Sequence, residues 1–215
     1  LRPHLSVQQP LYAFEAAGVS DGQTPDASLG EMAGRYVRAM REVQPSGPYT
    51  LAGWSSGGLI SFEMARQLGA VGEEVERLVL IDTPAPHVTD APSADGRLAW
   101  VRDGLQLGYE TDVLDMGRYP AEEYGGSARM AAAAEQLGAS LLPVSVEELM
   151  PMFEVFSAII LSSRAYSTPA VRVGKLELLR ATKAVVGEYL CHPANDRDDW
   201  GWSEAVVGDE VVTHW

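Results

Sequence analysis

Between Ser28 and Met40 the apolar residues fall on a single helical stripe: Leu29, Met32, Ala33, Tyr36, Val37 and Met40. Ser28 and Glu31 stand three apart, which is the capping-box signature of a helix start. Pro45-Ser46-Gly47-Pro48 ends the helix. Upstream, Pro10-Leu11-Tyr12-Ala13-Phe14-Glu15 predicts a strand, and a Gly/Ser/Asp/Pro loop follows from Gly18 to Ala27. Downstream, Tyr49-Thr50-Leu51-Ala52 predicts a short buried strand, residues 57 to 69 a helix, and Val75 to Asp82 a second buried strand. The second half of that last run is continuously apolar, which implies burial on both faces, as in a parallel sheet.

Strand, helix, strand, helix, strand is an α/β succession. Right-handed crossovers place the carboxyl ends of such strands along one edge, and Ser55 and Asp82 both fall at such ends. From Thr83 to about Tyr166 the pattern changes. Turn-rich pieces around Pro84, Pro86, Pro92 and Gly125-Gly126 separate helical stretches at about 96–107, 127–137 and from Ser145 onward. Ser145 and Glu148 repeat the capping-box spacing, and Pro151 kinks that helix or marks its true start. No strand pattern interrupts the region. It is expected to be a helical insertion, with a lid over the sheet edge at about 88–166; helices packed simply on the core are the plainer reading, and the two are compatible. Strand character returns at Lys175 to Ala181 and again at Glu210 to Trp215.

The chain has 215 residues, enough for one domain with a substantial core, and the whole of 1–215 is expected to be that domain, trimmed at both ends. Its net charge of -14 disfavours binding nucleic acid through a basic face. Asp196 to Asp199 and Asp209-Glu210 are expected to be solvated surface. Their spacing matches no EF-hand loop, and no metal site is expected. No apolar run is long enough to span a membrane. Cys191 is the only cysteine, which rules out an internal disulfide and suits a reducing, cytoplasmic setting.

Gly53-Trp54-Ser55-Ser56-Gly57 carries the chemistry. It has the form G-x-S-x-G between a strand and a helix, the context of a nucleophile elbow. Five residues with three fixed positions also occur by chance, and it is the flanking elements that give the motif weight. A serine hydroxyl needs a base within hydrogen-bond reach and an acid to orient that base. In α/β-hydrolases the chain order is serine, acid, histidine. Asp82, at the end of an apolar strand, is the candidate acid; capping the turn at Thr83-Pro84 is its alternative role. The Ser56 N–H, next after the nucleophile, is the candidate oxyanion donor.

Gly47-Pro48-Tyr49-Thr50-Leu51-Ala52-Gly53-Trp54-Ser55-Ser56-Gly57-Gly58 resembles the elbow of thioesterase domains from nonribosomal peptide synthetases. Glu63 to Leu68, Leu78 to Asp82 and the Gln44-Pro45-x-Gly47-Pro48 run extend the likeness. It is specific from about Pro10 to Pro86, weaker from Lys175 to Trp202, and loose across the lid. The resemblance implies an α/β-hydrolase fold, mostly parallel sheet flanked by helices, with a helical lid insertion. It implies a chain-releasing (type I) thioesterase with Ser55 as nucleophile and Asp82 as triad acid. The acyl or peptidyl chain would arrive as a thioester on the phosphopantetheine of an upstream peptidyl carrier protein, and leave by hydrolysis or macrocyclisation. No cofactor is expected in the domain itself.

Two features depart from the family pattern. The His/Gly-containing loop that supplies the family's other oxyanion amide is not found, nor is its Gly-x-His-Phe-like loop. Of the four histidines, His4 precedes the first strand, His87 lies five residues past Asp82, and His192 sits in a loop upstream of the usual position. His214 has the right chain order but lies in a strand pattern, and the base is expected beyond Trp215. The competing expectations are an editing (type II) thioesterase, a generic serine esterase or lipase, and an inactive hydrolase fold that only binds.

Overall fold

A computed structural model describes residues 6, 8–20, 22–85, 151, 154–155, 158–159, 162–163, 166, 171–181, 197–206 and 210–215. The first helix, α1 (Leu29–Val43), is capped as its sequence predicts: Ser28 Oγ accepts from the Glu31 N–H at 3.1 Å. The Glu31 carboxylate reaches back one residue further than an ideal capping box, to the Ala27 N–H at 3.0 Å. Leu29, Met32, Ala33 and Tyr36 are its buried residues.

After α1 come β1 (Tyr49–Trp54), α2 (Ser56–Ala70), β2 (Val75–Ile81), β3 (Lys175–Leu179), the short α3 (Trp202–Ala205) and β4 (Glu210–His214). Among the described residues these four strands form one parallel sheet in the order β1-β2-β3-β4. Register places side chains in rows across it. Leu51, Leu78, Leu176 and Val211 make one row; Gly53, Leu80, Leu178 and Thr213 make the next on that face. Leu78, Leu80, Leu176 and Leu178 are completely buried. They join one core with α1, α2 and the fully buried Trp202.

The opposite face is less covered than a continuously apolar run implies. Its last row is Trp54, Ile81, Leu179 and His214, where Ile81 is half-buried and the other three are exposed. Burial on β2 therefore alternates rather than being complete. A second difference concerns residues 10–15, which carry no strand pairing. Leu11 and Tyr12 are exposed, and Phe14 stacks on Tyr36 of α1 with ring centroids 4.7 Å apart. An apolar stretch becomes a strand only where a ladder edge receives it, and this one lays its aromatic ring on a helix instead.

The expected lid at about 88–166 lies almost entirely outside the described residues. Those described at its end, Pro151, Glu154, Val155, Ala158, Ile159, Ser162 and Ser163, are helical, with Val155 buried. Among the described residues no helix is long and apolar enough to cross a membrane.

Candidate active site

β1 ends at Trp54 and α2 starts at Ser56, so one residue makes the whole turn between them. Ser55 has φ 52° and ψ -126°, a combination that an L-residue avoids. Strain of this kind costs on the order of 1–3 kcal/mol and persists only where the surroundings over-determine it. Here the Ser55 N–H donates to the Ile81 carbonyl at 2.9 Å. The Ser55 carbonyl accepts from the Gly58 N–H at 2.9 Å and from Thr83 Oγ1 at 3.0 Å.

Glycine is required on both sides for steric reasons. A Cβ at Gly53 would overlap the Gly57 carbonyl and the Gly58 amide, and a Cβ at Gly58 would overlap the Thr83 side chain. At Gly57 the space is open. What matters at Gly57 is therefore its backbone, packed against Gly53, while the second sterically enforced glycine lies one position later.

The Ser55 side chain makes no capping bond to α2. The Ser56 N–H is the first amide of that helix, one of those that an α-helix leaves without an internal acceptor, at the end where the dipole favours negative charge. The half-buried Ser55 thus stands beside a donor with no partner among the described residues.

Asp82 directly follows β2 and also has a positive φ, 44°. Its N–H donates to the Leu179 carbonyl at 2.9 Å, which extends the β2–β3 ladder by one rung. One carboxylate oxygen, Oδ1, accepts from the Ala181 N–H at 2.6 Å. The carboxylate is therefore held from the segment just past β3, ninety-nine residues away in sequence. Trp54 pairs with Ile81, so Ser55 and Asp82 leave adjacent strands side by side, about 5 Å apart along the sheet.

The model of the thioesterase domain family matches residues 1–210. The chain belongs to the thioesterase domain family. Among relatives of this thioesterase domain, atromentin synthetase nps3 of Serpula lacrymans var. lacrymans (strain S7.9) is 35% identical over 137 residues, 64% of this chain and 14% of the synthetase. Malpinin synthetase of Mortierella alpina is 46% identical over 92 residues, 43% of this chain and 1% of that protein. The domain thus spans a small part of each synthetase. Among solved structures, the NocB thioesterase domain in covalent complex with a fluorophosphonate nocardicin G analog is 27% identical. That match has a TM-score of 0.50 and covers 92% of this chain and 68% of that one. A four-domain nonribosomal peptide synthetase bound to AMP and glycine matches with TM-score 0.72 over 93% of this chain and 15% of that one; at 24% identity the likeness is one of fold. The fold is that of the α/β-hydrolase thioesterases.

The thioesterase domain does not bring His214 to Ser55. His214 pairs with Leu179, which pairs with Ile81, which pairs with Trp54. Three strand spacings, roughly 14 Å, separate its backbone from β1, beyond what the two side chains and a hydrogen bond can span. Its imidazole acts on Glu177, two residues before Leu179 on the same sheet face. Glu177 is held below the usual carboxylate range, first by its hydrogen bond to Lys175 and only last by His214. His4, His87 and His192 lie outside the described residues.

Three features were not evident in the motif. Thr83, completely buried, bonds the elbow directly. Arg180, level with Ser55 and Asp82 at the end of β3, is sandwiched between the Trp200 and Trp215 rings, 4.4 and 4.3 Å from their centroids. Burial pulls its pKa down, against the pull of Asp198 and Asp82 upward. Glu63, only 2% exposed on α2, accepts from Arg66, Gln67 and Tyr166. A charged residue inside the apolar run Phe62-Glu63-Met64-Ala65 is the one sequence signal that could have revealed it.

Proposed function

We propose that this domain is the chain-releasing thioesterase of a peptide-forming assembly line, acting through a Ser55 acyl-enzyme. The observation that carries this reading is the strained turn at Ser55 beside Asp82, with the hydroxyl left out of helix capping and the Ser56 N–H next to it. Similarity to segments of large synthetases supports an acyl chain delivered on the phosphopantetheine of a neighbouring carrier protein.

In the proposed reaction, Ser55 Oγ attacks the thioester carbonyl and its proton passes to an imidazole. The tetrahedral oxyanion lies against the Ser56 N–H. Loss of one such donor costs about 10²–10³ in rate in enzymes of this type. Collapse breaks the C–S bond, and the imidazolium returns its proton to the departing thiolate. The acyl-enzyme is then opened by water, giving an acid, or by an amine or hydroxyl of the same chain, giving a ring. Asp82 holds the imidazole in the productive tautomer with the carboxylate oxygen not bound to Ala181. The register holds His214 three strand spacings away, and the imidazole is proposed to come from the loop that follows the last strand in the family pattern.

The test is a fluorophosphonate probe together with turnover of a pantetheine thioester, on wild type and Ser55→Ala. Wild type is expected to label once per chain and to release thiol, and Ser55→Ala to do neither. Thiol release by Ser55→Ala at the wild-type rate would refute the assignment. Rapid turnover of small oxygen esters alone would point to a general esterase, and failure to label at all would point to a binding module.

A further inference from the structure

We infer that Thr83 is the positioning residue of the Ser55 elbow, and that its hydroxyl rather than its bulk does the positioning. The inference rests on Ser55 being the nucleophile. Thr83 is completely buried. Its Oγ1 lies 3.0 Å from the Ser55 carbonyl and 3.0 Å from the Ile81 carbonyl, so its single hydrogen is shared between or alternates across them. Those two carbonyls belong to the two sides of the joint. One is the nucleophile's own peptide; the other already accepts the nucleophile's N–H. The Thr83 hydroxyl therefore ties the residue in strained backbone geometry to the end of the strand that carries the candidate acid.

Thr83 is itself held from behind. Trp202 Nε1 donates to the Thr83 carbonyl at 2.6 Å, and the fully buried Trp202 ring packs edge-on against Phe62 of α2, 4.9 Å between centroids. On the other side the Thr83 side chain fills the space where Gly58 would carry a Cβ. The hydroxyl thus has little freedom to leave the Ser55 carbonyl. A backbone in an unfavourable φ/ψ region stays there only while such restraints hold, and a shift of about 1 Å at a reacting atom can cost on the order of 10²-fold in rate.

The experiment compares Thr83→Ser, Thr83→Val and Thr83→Ala in fluorophosphonate labelling rate, kcat and KM for a pantetheine thioester, and melting temperature. Ser55→Ala is carried alongside. Thr83→Ser keeps the hydroxyl and loses a methyl; it is expected to label within about threefold of wild type. Val and Ala lack the hydroxyl and are expected to label at least tenfold more slowly, with kcat reduced and KM little changed, at temperatures where all variants are folded. A labelling rate in Thr83→Ala equal to wild type overturns the inference. So does a Thr83→Ser variant as slow as Thr83→Ala, because the methyl would then be the important group. If Ser55→Ala still labels and turns over, the nucleophile assignment has failed instead, and the two failures are separate.

Discussion

Replacing Glu63 by glutamine tests whether a buried carboxylate holds the helix that follows Ser55 in place. The Glu63 side chain is almost fully buried and accepts four hydrogen bonds. Two come from Arg66 Nε and Nη2, each at 2.7 Å, one from Gln67 Nε2 at 2.9 Å and one from Tyr166 Oη at 2.7 Å. Gln67 Nε2 also reaches the Gly30 carbonyl at 2.8 Å, which links α2 to α1. Glutamine offers one oxygen where the carboxylate offered two, and turns an NH2 towards groups that had been donating, of which only the Tyr166 hydroxyl can accept instead. Arg66, 39% exposed, can turn to water, so the ion pair itself counts for little. A shielded donor left without an acceptor costs about 1–3 kcal/mol, and the half-buried Tyr166 hydroxyl or the second N–H of Gln67 loses its acceptor. With the lost charge-assisted bond the expected destabilisation is about 2–4 kcal/mol, or roughly 5–15 °C in melting temperature for a chain of this length. Tyr166→Phe is expected to cost about 1–2 kcal/mol, and the double variant less than the sum because the two groups share one bond.

The pH dependence of Glu63→Gln has a definite sign. Burial pushes the Glu63 carboxyl up, but the bonds from Arg66, Gln67 and Tyr166 outweigh it and hold it below its ordinary 4.5. A carboxyl depressed on folding contributes stability that is fully present above its unfolded pKa and is lost as pH falls through the folded one. The gap between wild type and Glu63→Gln is therefore expected to be constant near neutrality and to shrink as pH falls below about 4.5. Calorimetric melting from pH 7 to pH 3.5 measures it. A glutamine variant within about 0.5 kcal/mol of wild type, the scatter of neutral surface changes, would refute the reasoning. So would a gap that widens in acid.

Two substitutions separate geometry from stability. Gly53→Ala drives a Cβ into the Gly57–Gly58 backbone, which no rotamer can relieve. It is expected to lose at least tenfold in fluorophosphonate labelling and to destabilise by about 1–3 kcal/mol; wild-type labelling would show that the strand–helix approach is looser than described. Leu68→Ala, a completely buried residue in the last turns of α2, is expected to cost about 2–5 kcal/mol while leaving the labelling rate of folded molecules unchanged. A parallel loss of labelling would mean that the far end of the helix also sets the elbow.

Features fixed by neighbouring residues were legible in the sequence. The Ser28 cap, the α1 stripe and the strand–turn–helix around Ser55 each depend on residues a few positions apart. Bounds slipped where tertiary pairing continued past the local pattern: β1 runs on through Gly53 and Trp54 because Leu80 and Ile81 still pair with them. The run at 10–15 failed as a strand for the converse reason, since an apolar run cannot supply its own ladder partner. The contacts that secure the site are long-range and carry no local signature. Asp82 is held by Ala181, the Thr83 carbonyl by Trp202 and Glu63 by Tyr166, each across about a hundred residues or more. Asp82 was recognisable as an acid at a strand end, but its anchor was not. Thr83, next to it, looked like part of a turn.

These long-range polar contacts divide the labour along α2. Apolar burial of Leu59, Ile60, Phe62, Met64, Ala65 and Leu68 drives the helix onto the sheet, but such contacts are non-directional and tolerate small slides and rotations. The proposed nucleophile tolerates neither. At the helix start the Thr83 hydroxyl fixes the Ser55 peptide against β2. One turn along, the buried Ser61 hydroxyl donates to the Ala52 carbonyl at 3.0 Å and fixes α2 against β1. On the helix flank Glu63 joins Tyr166, and through Gln67 the Gly30 carbonyl of α1. Each of these groups would cost free energy if its partner were lost, so each penalises a displacement that the apolar contacts alone would permit. Directional bonds to β1, to the end of β2, to α1 and to Tyr166 leave a rigid helix little choice of position. That is how a core built for stability also holds one serine in a backbone conformation it would not otherwise keep.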